Sequence, residues 1–385
     1  MKVLITTDNY YTKTNGVVTS INNLYSELIK RGHEVRILTF SKDVHKHIEG
    51  DVYYLRSLPL EFIYPGVRSP YSVSPETIRD IVKWKPDIIH SQCEFFSYAF
   101  ALKVHKKCKC PIVHTYHTLY EDYLTYLFPE KNFSARFLKR FMKRRLRKAA
   151  TIIAPTNKVK SVLSGYGISA NIDVIPSGIN LSQHKNRISA EERRAIRNKY
   201  SISDSDVVMM NLGRLGGEKN LDEVITYFAS ASKDYPQLKL MLVGGGPAKE
   251  SLEALSRKLG ISNRVIFTGM VKPDEVQKYY QCGDIFTSAS TSETQGLTYI
   301  EATANGLPLL CRMDPVLEEL VINGKNGYTY STKEEYLNSL GLMVEDKTWR
   351  ENASKESLRI SSSYDKEFFG EKIVECYKKV LNKIV

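Results

Sequence analysis

The chain has 385 residues, 42% of them hydrophobic, which is enough for two domains with packed cores. No stretch of about 18 uncharged apolar residues occurs, which argues against a membrane-spanning helix, and residues 1–8 turn polar too soon for a signal peptide. The six cysteines form no C-x2-C pair, which argues against a zinc knuckle or redox pair, so we expect reduced cytosolic thiols.

The net charge of +12 is carried by the first half of the chain. Residues 1–187 contain 29 Lys and Arg against 15 Asp and Glu, and the remaining residues contain 26 against 28. A charge that served only solubility would be spread over both halves. The asymmetry therefore indicates an anionic partner for the first half.

The first half alternates strands and helices. Residues 3–6 form a short apolar strand, residues 8–16 a polar turn that ends in Asn15-Gly16, and residues 17–30 have the apolar spacing of a helix. A strand, a turn and a helix begin a doubly wound α/β unit. Further strands are predicted at 35–40, 51–55, 86–90, 111–116, 151–155 and 172–176, with a helix at 74–83.

Polar residues follow two of these strands. The stretch His90-Ser-Gln-Cys-Glu94 ends the strand at 86–90, and His117 comes just after the strand at 111–116. Open α/β sheets bind ligands at the carboxyl ends of their strands, so we predict that His117 is a site residue. His114 lies inside its strand, and we interpret it as a core or structural histidine.

Residues 133–150 are predicted to form a basic amphipathic helix with no acidic residue. Phe133, Phe137 and Phe141 are four residues apart, with Leu138, Met142 and Leu146 beside them. A helix of this kind lies at a membrane surface, with its apolar stripe among acyl chains and its charges on anionic headgroups. The residues predicted to bind the membrane are Phe137, Lys139, Arg140, Phe141, Lys143 and Arg144. In the alternative, the apolar stripe of the helix packs on the sheet and only the basic residues face outward.

A second apolar segment, the loop at 59–75, either contacts lipid or covers the core.

A polar segment at 182–205 separates a second α/β series, with strands predicted at 207–212, 238–243, 265–268, 284–288 and 307–312. We therefore predict an α/β protein with two facing, Rossmann-like, doubly wound domains, at 1–187 and 188–364, and a cleft between them. A terminal helix at 365–385 is expected to pack back on the first domain.

Three glycine-bearing loops follow strands of the second half, at 213–220, 244–247 and 289–296. The first contains Arg214 and Lys219, cations suited to phosphate oxygens. The third leads into a helix, whose initial N–H groups suit phosphate as well. Glu293 lies in that loop and Glu301 about a turn inside the helix. Carboxylates repel phosphate but accept hydrogen bonds from sugar hydroxyls. The combination predicts a site for a nucleotide sugar, although the spacing of the two glutamates alone also fits an ordinary surface loop and helix.

With these motifs the whole chain resembles the retaining glycosyltransferases of family 4 (group 1), which have the two-domain GT-B fold. The residues that carry the resemblance are Gly213-Arg214, Glu218-Lys219-Asn220, Gly244-Gly-Gly-Pro247, Phe267-Thr-Gly269 and Glu293-x7-Glu301-Ala.

The resemblance implies a role for each site residue. Arg214 and Lys219 would bind the diphosphate, Glu293 the hydroxyls of the transferred sugar and Glu301 the ribose. The amides of Gly296, Leu297 and Thr298 would face phosphate and sugar. Gly16 would let the backbone approach the diphosphate, and His117 would lie near the outer rim of the sugar.

Three departures from the common family pattern are informative. Ser292-Glu-Thr-Gln-Gly296, with Gln295, is similar to the sequence of diacylglycerol glucosyltransferases. Gly216-Gly217 replaces a proline-containing pair, which predicts a more mobile loop. Asn15-Gly16 replaces two glycines, which leaves Gly16 as the single candidate in the first turn.

The resemblance implies that glucose passes from UDP-glucose to diacylglycerol with retention of configuration, in the synthesis of glycolipids and lipoteichoic acid anchors. No cofactor or essential metal is expected. The expected partners are a nucleotide sugar, diacylglycerol and an anionic membrane surface, with the enzyme in the cytoplasm and peripheral on the inner face of the cell membrane.

Other interpretations are a transferase for a soluble or polysaccharide-precursor acceptor, a nucleic-acid-binding protein and an NAD-dependent oxidoreductase. Phenylalanines on one apolar face of the basic helix suit lipid better than bases, so no nucleic-acid partner is expected. The lack of G-x-G-x-x-G after the first strand argues against the oxidoreductase.

Overall fold

The structure is a computed structural model that describes residues 1–10, 16–41, 46–59, 68–71, 74–120 and 131–383. The chain divides into two compact units, Met1–Gly178 with Lys366–Val385, and Ile179–Asp365. The contact boundary thus lies after Gly178, whereas the sequence analysis placed the join at 187. Residues 11–15 of the first polar turn, and 60–67 and 72–73 of the apolar loop at 59–75, lie outside the described residues.

The first unit contains an eight-stranded sheet with the order β10-β9-β8-β7-β1-β2-β4-β3. Its strands are β1 (Lys2–Thr6), β2 (Glu34–Phe40), β3 (His47–Glu49), β4 (Val52–Leu55), β7 (Ile88–Ser91), β8 (Ile112–Thr115), β9 (Ala149–Ala154) and β10 (Asn171–Val174); β5 (Ser57–Pro59) and β6 (Arg68–Pro70) form a separate antiparallel pair. All pairs of the large sheet are parallel except β3 with β4. The sequence order of the strands reverses between β1 and β7, and such a switch point is where open α/β sheets bind ligands.

Helices cover both faces of this sheet. They are α1 (Gly16–Lys30), α2 (Pro75–Trp84), α3 (Phe96–Cys108), α4 (Lys131–Leu146), α5 (Asn157–Gly165) and the C-terminal helix (Lys366–Asn382). Leu4 of β1 packs in a core with residues of α2, α3 and α4, whereas Val3 and Ile5 pack with α1 and the C-terminal helix. Alternate residues of β1 thus face two apolar layers, which explains why the whole strand is apolar.

The second unit contains a six-stranded parallel sheet with the order β13-β12-β11-β14-β15-β16. Its strands are β11 (Val207–Leu212), β12 (Leu238–Val243), β13 (Val265–Gly269), β14 (Ile285–Ser288), β15 (Leu309–Arg312) and β16 (Gly327–Tyr330). Its helices are α6 (Leu181–Lys185), α7 (Ala190–Lys199), α8 (Leu221–Ala231), α9 (Lys249–Lys258), α10 (Val276–Tyr280), α11 (Leu297–Ala304), α12 (Lys333–Glu345) and α13 (Lys347–Ser361). The order reverses between β11 and β14, which makes these two strands the second switch point.

The helix predicted at 133–150 is present as α4, but it ends at Leu146. Arg147 and Lys148 form a turn, and β9 follows, with the β-branched residues Thr151, Ile152 and Ile153 that favour strands. The predicted C-terminal end of this helix was therefore wrong by four residues.

Candidate functional site

The switch point of the second unit brings together two loops that the sequence had marked. The loop after β11 carries Arg214 and Lys219, and the loop after β14 carries Glu293. Because β11 and β14 are adjacent, the loops touch: Asn220 Nδ2 donates to the Ala289 carbonyl at 3.2 Å, and Ser292 Oγ donates to the Glu218 carbonyl at 3.3 Å. The predicted donor-site residues Arg214, Lys219 and Glu293 therefore lie on contacting loops.

Each cation of this site faces a carboxylate. Lys219 Nζ lies 2.6 Å from Glu293 Oε1, and the two side chains are 28% and 16% exposed. Arg214 Nη2 lies 3.3 Å from Glu218 Oε1, and the Arg214 side chain is 41% exposed. An anion that binds here has to compete with these carboxylates for the two cations.

Glycines allow the neighbouring loops to pack backbone against backbone. A Cβ on Gly244, whose φ is +135°, would lie 2.0 Å from the Gly213 carbonyl oxygen. A Cβ on Gly216 would lie 2.2 Å from Oε2 of Glu218, so the Glu218 carboxylate packs directly over that glycine. A side chain at position 216 would therefore displace the Glu218 carboxylate from its place beside Arg214.

Helix α11 begins directly after Gly296, which has φ +72° and whose Cβ would collide with the ring of Tyr299 at 2.4 Å. Its N-cap residue is a glycine, so the N-cap position supplies no side chain to the first turn. The N–H groups of Leu297 and Thr298 lie in this first turn, and N–H groups at a helix start are suited to phosphate or sugar oxygens.

Glu301 lies further along α11 and is only partly exposed. Its Oε2 accepts a hydrogen bond from the Tyr280 hydroxyl at 2.9 Å. Burial raises the pKa of Glu301 to about 7, and this hydrogen bond offsets only part of that rise. A carboxylate with one protein donor keeps oxygen lone pairs for further donors, such as the two hydroxyls of a ribose.

In the first unit, the structure places His117 and His114 in different surroundings. His117 is half-buried, and its Nε2 lies 2.7 Å from Gln92 Oε1; burial lowers its pKa to about 4. His114 is fully buried, with Nε2 3.1 Å from Glu94 Oε1. The prediction that His114 is a structural histidine is therefore confirmed. Gly16 is exposed and is the first residue of α1; the turn before it lies outside the described residues.

Two acidic residues follow strands at the same switch point: Glu94, in the stretch that the sequence placed at the ligand-binding edge, and Asp8, to which the sequence gave no role. Asp8 follows β1 and accepts hydrogen bonds from the N–H groups of Ser97 at 2.6 Å and Phe96 at 3.3 Å, and burial raises its pKa. Glu94 also accepts a hydrogen bond from the Tyr120 hydroxyl at 2.6 Å. Their position after β1, β7 and β8 was the available signal, because these strands are neighbours at the switch point.

Helix α4 divides its apolar residues between the core and the surface. Leu138, Met142 and Leu146 are at most 6% exposed and belong to the core, so the prediction of a single lipid-facing stripe was wrong for these three residues. Phe137 is 66% exposed. Its ring stacks on Phe141, which stacks on Phe95, with centroid distances of 6.5 and 6.0 Å.

We call Phe95, Phe137 and Phe141 the aromatic row. It is accompanied by four exposed basic residues of the same helix, Lys139, Arg140, Lys143 and Arg144. Arg145 differs from these, because it lies against the protein: its Nε donates to the Glu94 carbonyl at 2.7 Å and its guanidinium covers the ring of Tyr98. The surface of α4 is thus apolar along one row and cationic beside it.

Within the residues that the structure describes, no three His, Cys, Asp or Glu side chains are grouped so that they could hold a metal ion. Across the same residues, no helix combines the length and the apolar character needed to cross a bilayer. All six cysteines are free thiols.

Two family models match the chain, one in each half. Residues 14–183 match the model for Glycosyltransferase Family 4, and residues 192–359 match that for Glycosyl transferases group 1. The chain is 33% identical over 380 residues to the alpha-monoglucosyldiacylglycerol synthase of Streptococcus pneumoniae, covering 98% of this chain and 85% of that protein. It is 31% identical over 404 residues to the synthase of the same name from Acholeplasma laidlawii, covering 100% and 98%.

Solved structures with a similar fold include Anabaena Alr3699/HepE in complex with UDP-glucose. That comparison gives a TM-score of 0.75 at 19% identity and covers 98% of this chain and 100% of that one. WaaG, a glycosyltransferase involved in lipopolysaccharide biosynthesis, gives 0.71 at 17% identity, with 97% and 99% covered. With the two doubly wound parallel sheets, these likenesses confirm the predicted α/β class and the GT-B fold.

Proposed function

The chain belongs to the family 4, group 1 glycosyltransferases, and we propose that it transfers glucose from UDP-glucose to diacylglycerol, forming α-monoglucosyldiacylglycerol. The observation that carries this proposal is the identity of 33% and 31%, over nearly the whole chain, to two synthases named for that product. The donor is supported by the second-unit site, which offers groups for a diphosphate and for two sugars. The product would serve as a membrane glycolipid and as a lipoteichoic acid anchor.

The proposed donor contacts follow from charge and position. Arg214, Lys219 and the first-turn amides of α11, including Gly296, Leu297 and Thr298, bind the diphosphate and adjoining sugar oxygens. Glu293 accepts hydrogen bonds from hydroxyls of the glucose, and Glu301 accepts them from the ribose. Gly16 offers backbone to the diphosphate, and His117 lies near the outer rim of the glucose.

The proposed reaction breaks the bond between C1 of glucose and the diphosphate oxygen while the diacylglycerol oxygen bonds to C1 on the same face. The leaving phosphate oxygen takes the proton of the acceptor hydroxyl, so no protein nucleophile and no long-lived sugar–enzyme bond are needed. Arg214, Lys219 and the start of α11 stabilise the negative charge that develops on UDP. Because these groups carry that role, we propose that no essential metal ion or other cofactor takes part.

The proposed acceptor surface is α4. Diacylglycerol stays in the bilayer, so the enzyme has to dock on a membrane to reach it. The aromatic row inserts among the acyl chains, and Lys139, Arg140, Lys143 and Arg144 bind anionic headgroups, each contributing up to about 1 kcal/mol. This makes the protein a peripheral enzyme on the cytoplasmic face of the cell membrane.

Product analysis tests the donor and the acceptor together. Radiolabelled UDP-glucose, UDP-galactose and GDP-mannose are each offered with diacylglycerol vesicles and with a water-soluble acceptor. We expect one labelled lipid, formed from UDP-glucose. Label that enters only the soluble acceptor would overturn the proposed acceptor, and label from GDP-mannose alone would overturn the donor.

Co-sedimentation tests the membrane surface. A variant with Lys139, Arg140, Lys143 and Arg144 changed to Glu is compared with a control in which four exposed lysines of the second unit, Lys233, Lys258, Lys325 and Lys333, are changed to Glu. The first variant should lose binding to vesicles that contain phosphatidylglycerol, and the control should keep it. Equal binding of both variants to these vesicles would show that α4 is not part of the membrane-binding surface.

A further inference from the structure

Gln92 lies at the switch point of the first unit, directly after β7. Its backbone N–H donates to the Thr6 carbonyl at 2.8 Å, which continues the pairing of β7 with β1. Its side chain points toward β8, the other neighbour of β7, and reaches His117 just beyond the end of that strand. The distance between Gln92 Oε1 and His117 Nε2 is 2.7 Å. The sheet topology thus brings together two polar side chains that lie 25 positions apart.

The fold alone gives no reason for a glutamine at this position. Gln92 is 2% exposed, and its side-chain amide nitrogen has no hydrogen-bond partner among the described residues. In the orientation that the structure gives, the amide oxygen meets His117 and the amide nitrogen is left without a partner in the described part of the chain. A buried polar group left in this state destabilises a fold, so an apolar side chain would suit stability better. The amide of Gln92, unlike an apolar side chain, provides a hydrogen bond to His117.

One ring nitrogen of His117 is held by the protein, and the residue as a whole is only half-buried. Its Nε2 is the nitrogen bonded to Gln92. Burial keeps the ring neutral by lowering its pKa to about 4, against the charge of Glu94, which acts to raise it. Among the described residues, the charges of His114 on β8 and His90 on β7 also interact with this ring.

A neutral imidazole has one donor nitrogen and one acceptor nitrogen. The hydrogen bond made at one nitrogen fixes which role the other nitrogen takes. Whichever role Nε2 has toward the Gln92 amide, Nδ1 therefore has the opposite role, and it keeps that role as long as the contact holds. A nitrogen with a fixed role can select the orientation of a hydroxyl group.

We propose that Gln92 is a positioning residue that holds His117 in a single neutral tautomer, so that Nδ1 presents a fixed donor or acceptor to a substrate hydroxyl. The proposal rests on the proposed function, since the hydroxyl belongs either to the transferred sugar or to the acceptor alcohol. Gln92 thus acts through His117 and does not contact the reacting atoms.

Nitrogen NMR of the histidine rings tests the proposal without any turnover. The His117 signals are assigned by their loss in His117→Gln, and the wild type should show one neutral tautomer at pH 7. Gln92→Met, which keeps the length and burial of the side chain, should show both tautomers in exchange. An unchanged single tautomer in Gln92→Met would overturn the proposal, whether or not the enzyme makes a glycolipid.

Kinetics supply the second measurement. Gln92→Met should lower kcat/KM for transfer by about 10- to 100-fold while UDP affinity, measured by calorimetry, stays unchanged. Gln92→Glu places a carboxylate against Nε2 and should give the pH profile of kcat/KM a new ionisation above pH 5, with activity lost on the acid side. The control Gln183→Glu, at an exposed glutamine of α6, should keep the wild-type profile. A uniform loss in Gln92→Glu with no change in the shape of the profile would indicate a structural role only.

Hydrolysis of UDP-glucose in the absence of acceptor identifies the hydroxyl. A loss in hydrolysis equal to the loss in transfer assigns it to the sugar, and a loss in transfer alone assigns it to the acceptor. Wild-type values of both in Gln92→Met would overturn the proposal. Failure of the proposed function would be seen separately, as the absence of labelled lipid with the wild type.

Discussion

Lys219 and Glu293 form an ion pair between two loops of the second unit, with Nζ 2.6 Å from Oε1. One loop follows β11 and the other follows β14, the two strands at the switch point. The family resemblance assigns phosphate to Lys219 and sugar hydroxyls to Glu293, yet in this structure the two side chains bind each other. Because the two side chains are in direct contact, substitution of one changes the surroundings of the other, and their effects on donor binding are expected to be coupled.

Lys219→Ala should abolish most of the activity with little change in folding. The variant removes a charge-assisted contact to the diphosphate, worth about 1.5–3 kcal/mol, or about 10- to 100-fold in UDP affinity. Calorimetric titration with UDP measures the loss, and Lys233→Ala, at an exposed lysine outside the site, is the control. Near-normal turnover in Lys219→Ala would refute the diphosphate assignment.

Glu293→Gln should reduce turnover much more than UDP affinity. Gln keeps a hydrogen-bond acceptor but loses the charge that pairs with Lys219, which leaves the lysine available to the phosphates. UDP therefore binds the variant at least as tightly as the wild type, while glucose transfer slows. The check is a comparison of kcat with the dissociation constant of UDP. Weaker UDP binding with an unchanged kcat would mean that Glu293 does not act on the sugar.

The affinity for UDP should rise with pH through about 7. Burial raises the pKa of Glu301 to about 7, so the group is protonated on the acid side and ionised on the alkaline side. The ionised form accepts stronger hydrogen bonds from ribose hydroxyls. In Glu301→Gln, the affinity should be lower at pH 8 and should change less around pH 7, where the terminal phosphate of UDP itself still titrates. Titrations with UDP at pH 6, 7 and 8 measure this effect. An identical pH dependence of UDP affinity in the wild type and in Glu301→Gln would show that Glu301 does not bind the ribose.

Stability should fall on acidification, in part because of His184. Its Nδ1 lies 2.9 Å from the Asn305 side-chain nitrogen, and burial lowers its pKa to about 4 from an ordinary value of 6.5. Between pH 6.5 and about pH 4, His184 is therefore protonated in the unfolded chain but neutral in the folded chain. The contribution of His184 to the free energy of unfolding is complete above pH 6.5 and is lost between pH 6.5 and 4, at about 1.4 kcal/mol per pH unit.

Urea unfolding of the wild type and of His184→Gln at pH 7.5 and pH 5 measures this effect. The variant should lose less stability between the two pH values than the wild type loses. An equal loss in both proteins would show that His184 does not resist protonation in the folded state.

The alternating α/β order of both units could be predicted from short, bounded apolar runs. The strands β11 and β12 begin and end at the predicted residues, because a polar segment precedes each one and a glycine follows it. The strands β3, β5 and β6 have three residues each and were not predicted, since so few residues show no alternation. Helix α3 was not predicted either; it begins directly after the polar stretch that ends at Glu94.

The donor loops could be predicted because each lies in one continuous stretch of sequence. The pairing of Gln92 with His117 could not, because it depends on β7 and β8 being neighbours in the sheet. The apolar residues of α4 show a different limit. Their spacing indicates an apolar face, but it does not distinguish a row that faces lipid from one that faces a sheet. In the structure, Leu138 faces the core and Phe137 does not.

The anomeric configuration of the product decides whether the enzyme is a retaining transferase that acts on diacylglycerol. Wild-type enzyme is incubated with UDP-glucose and anionic vesicles that contain diacylglycerol, and the extracted lipid is examined by proton NMR. We expect one product, glucose joined to diacylglycerol by an α linkage. A β-linked product would contradict the proposed retaining reaction, and the absence of any glucosylated lipid would contradict the proposed acceptor.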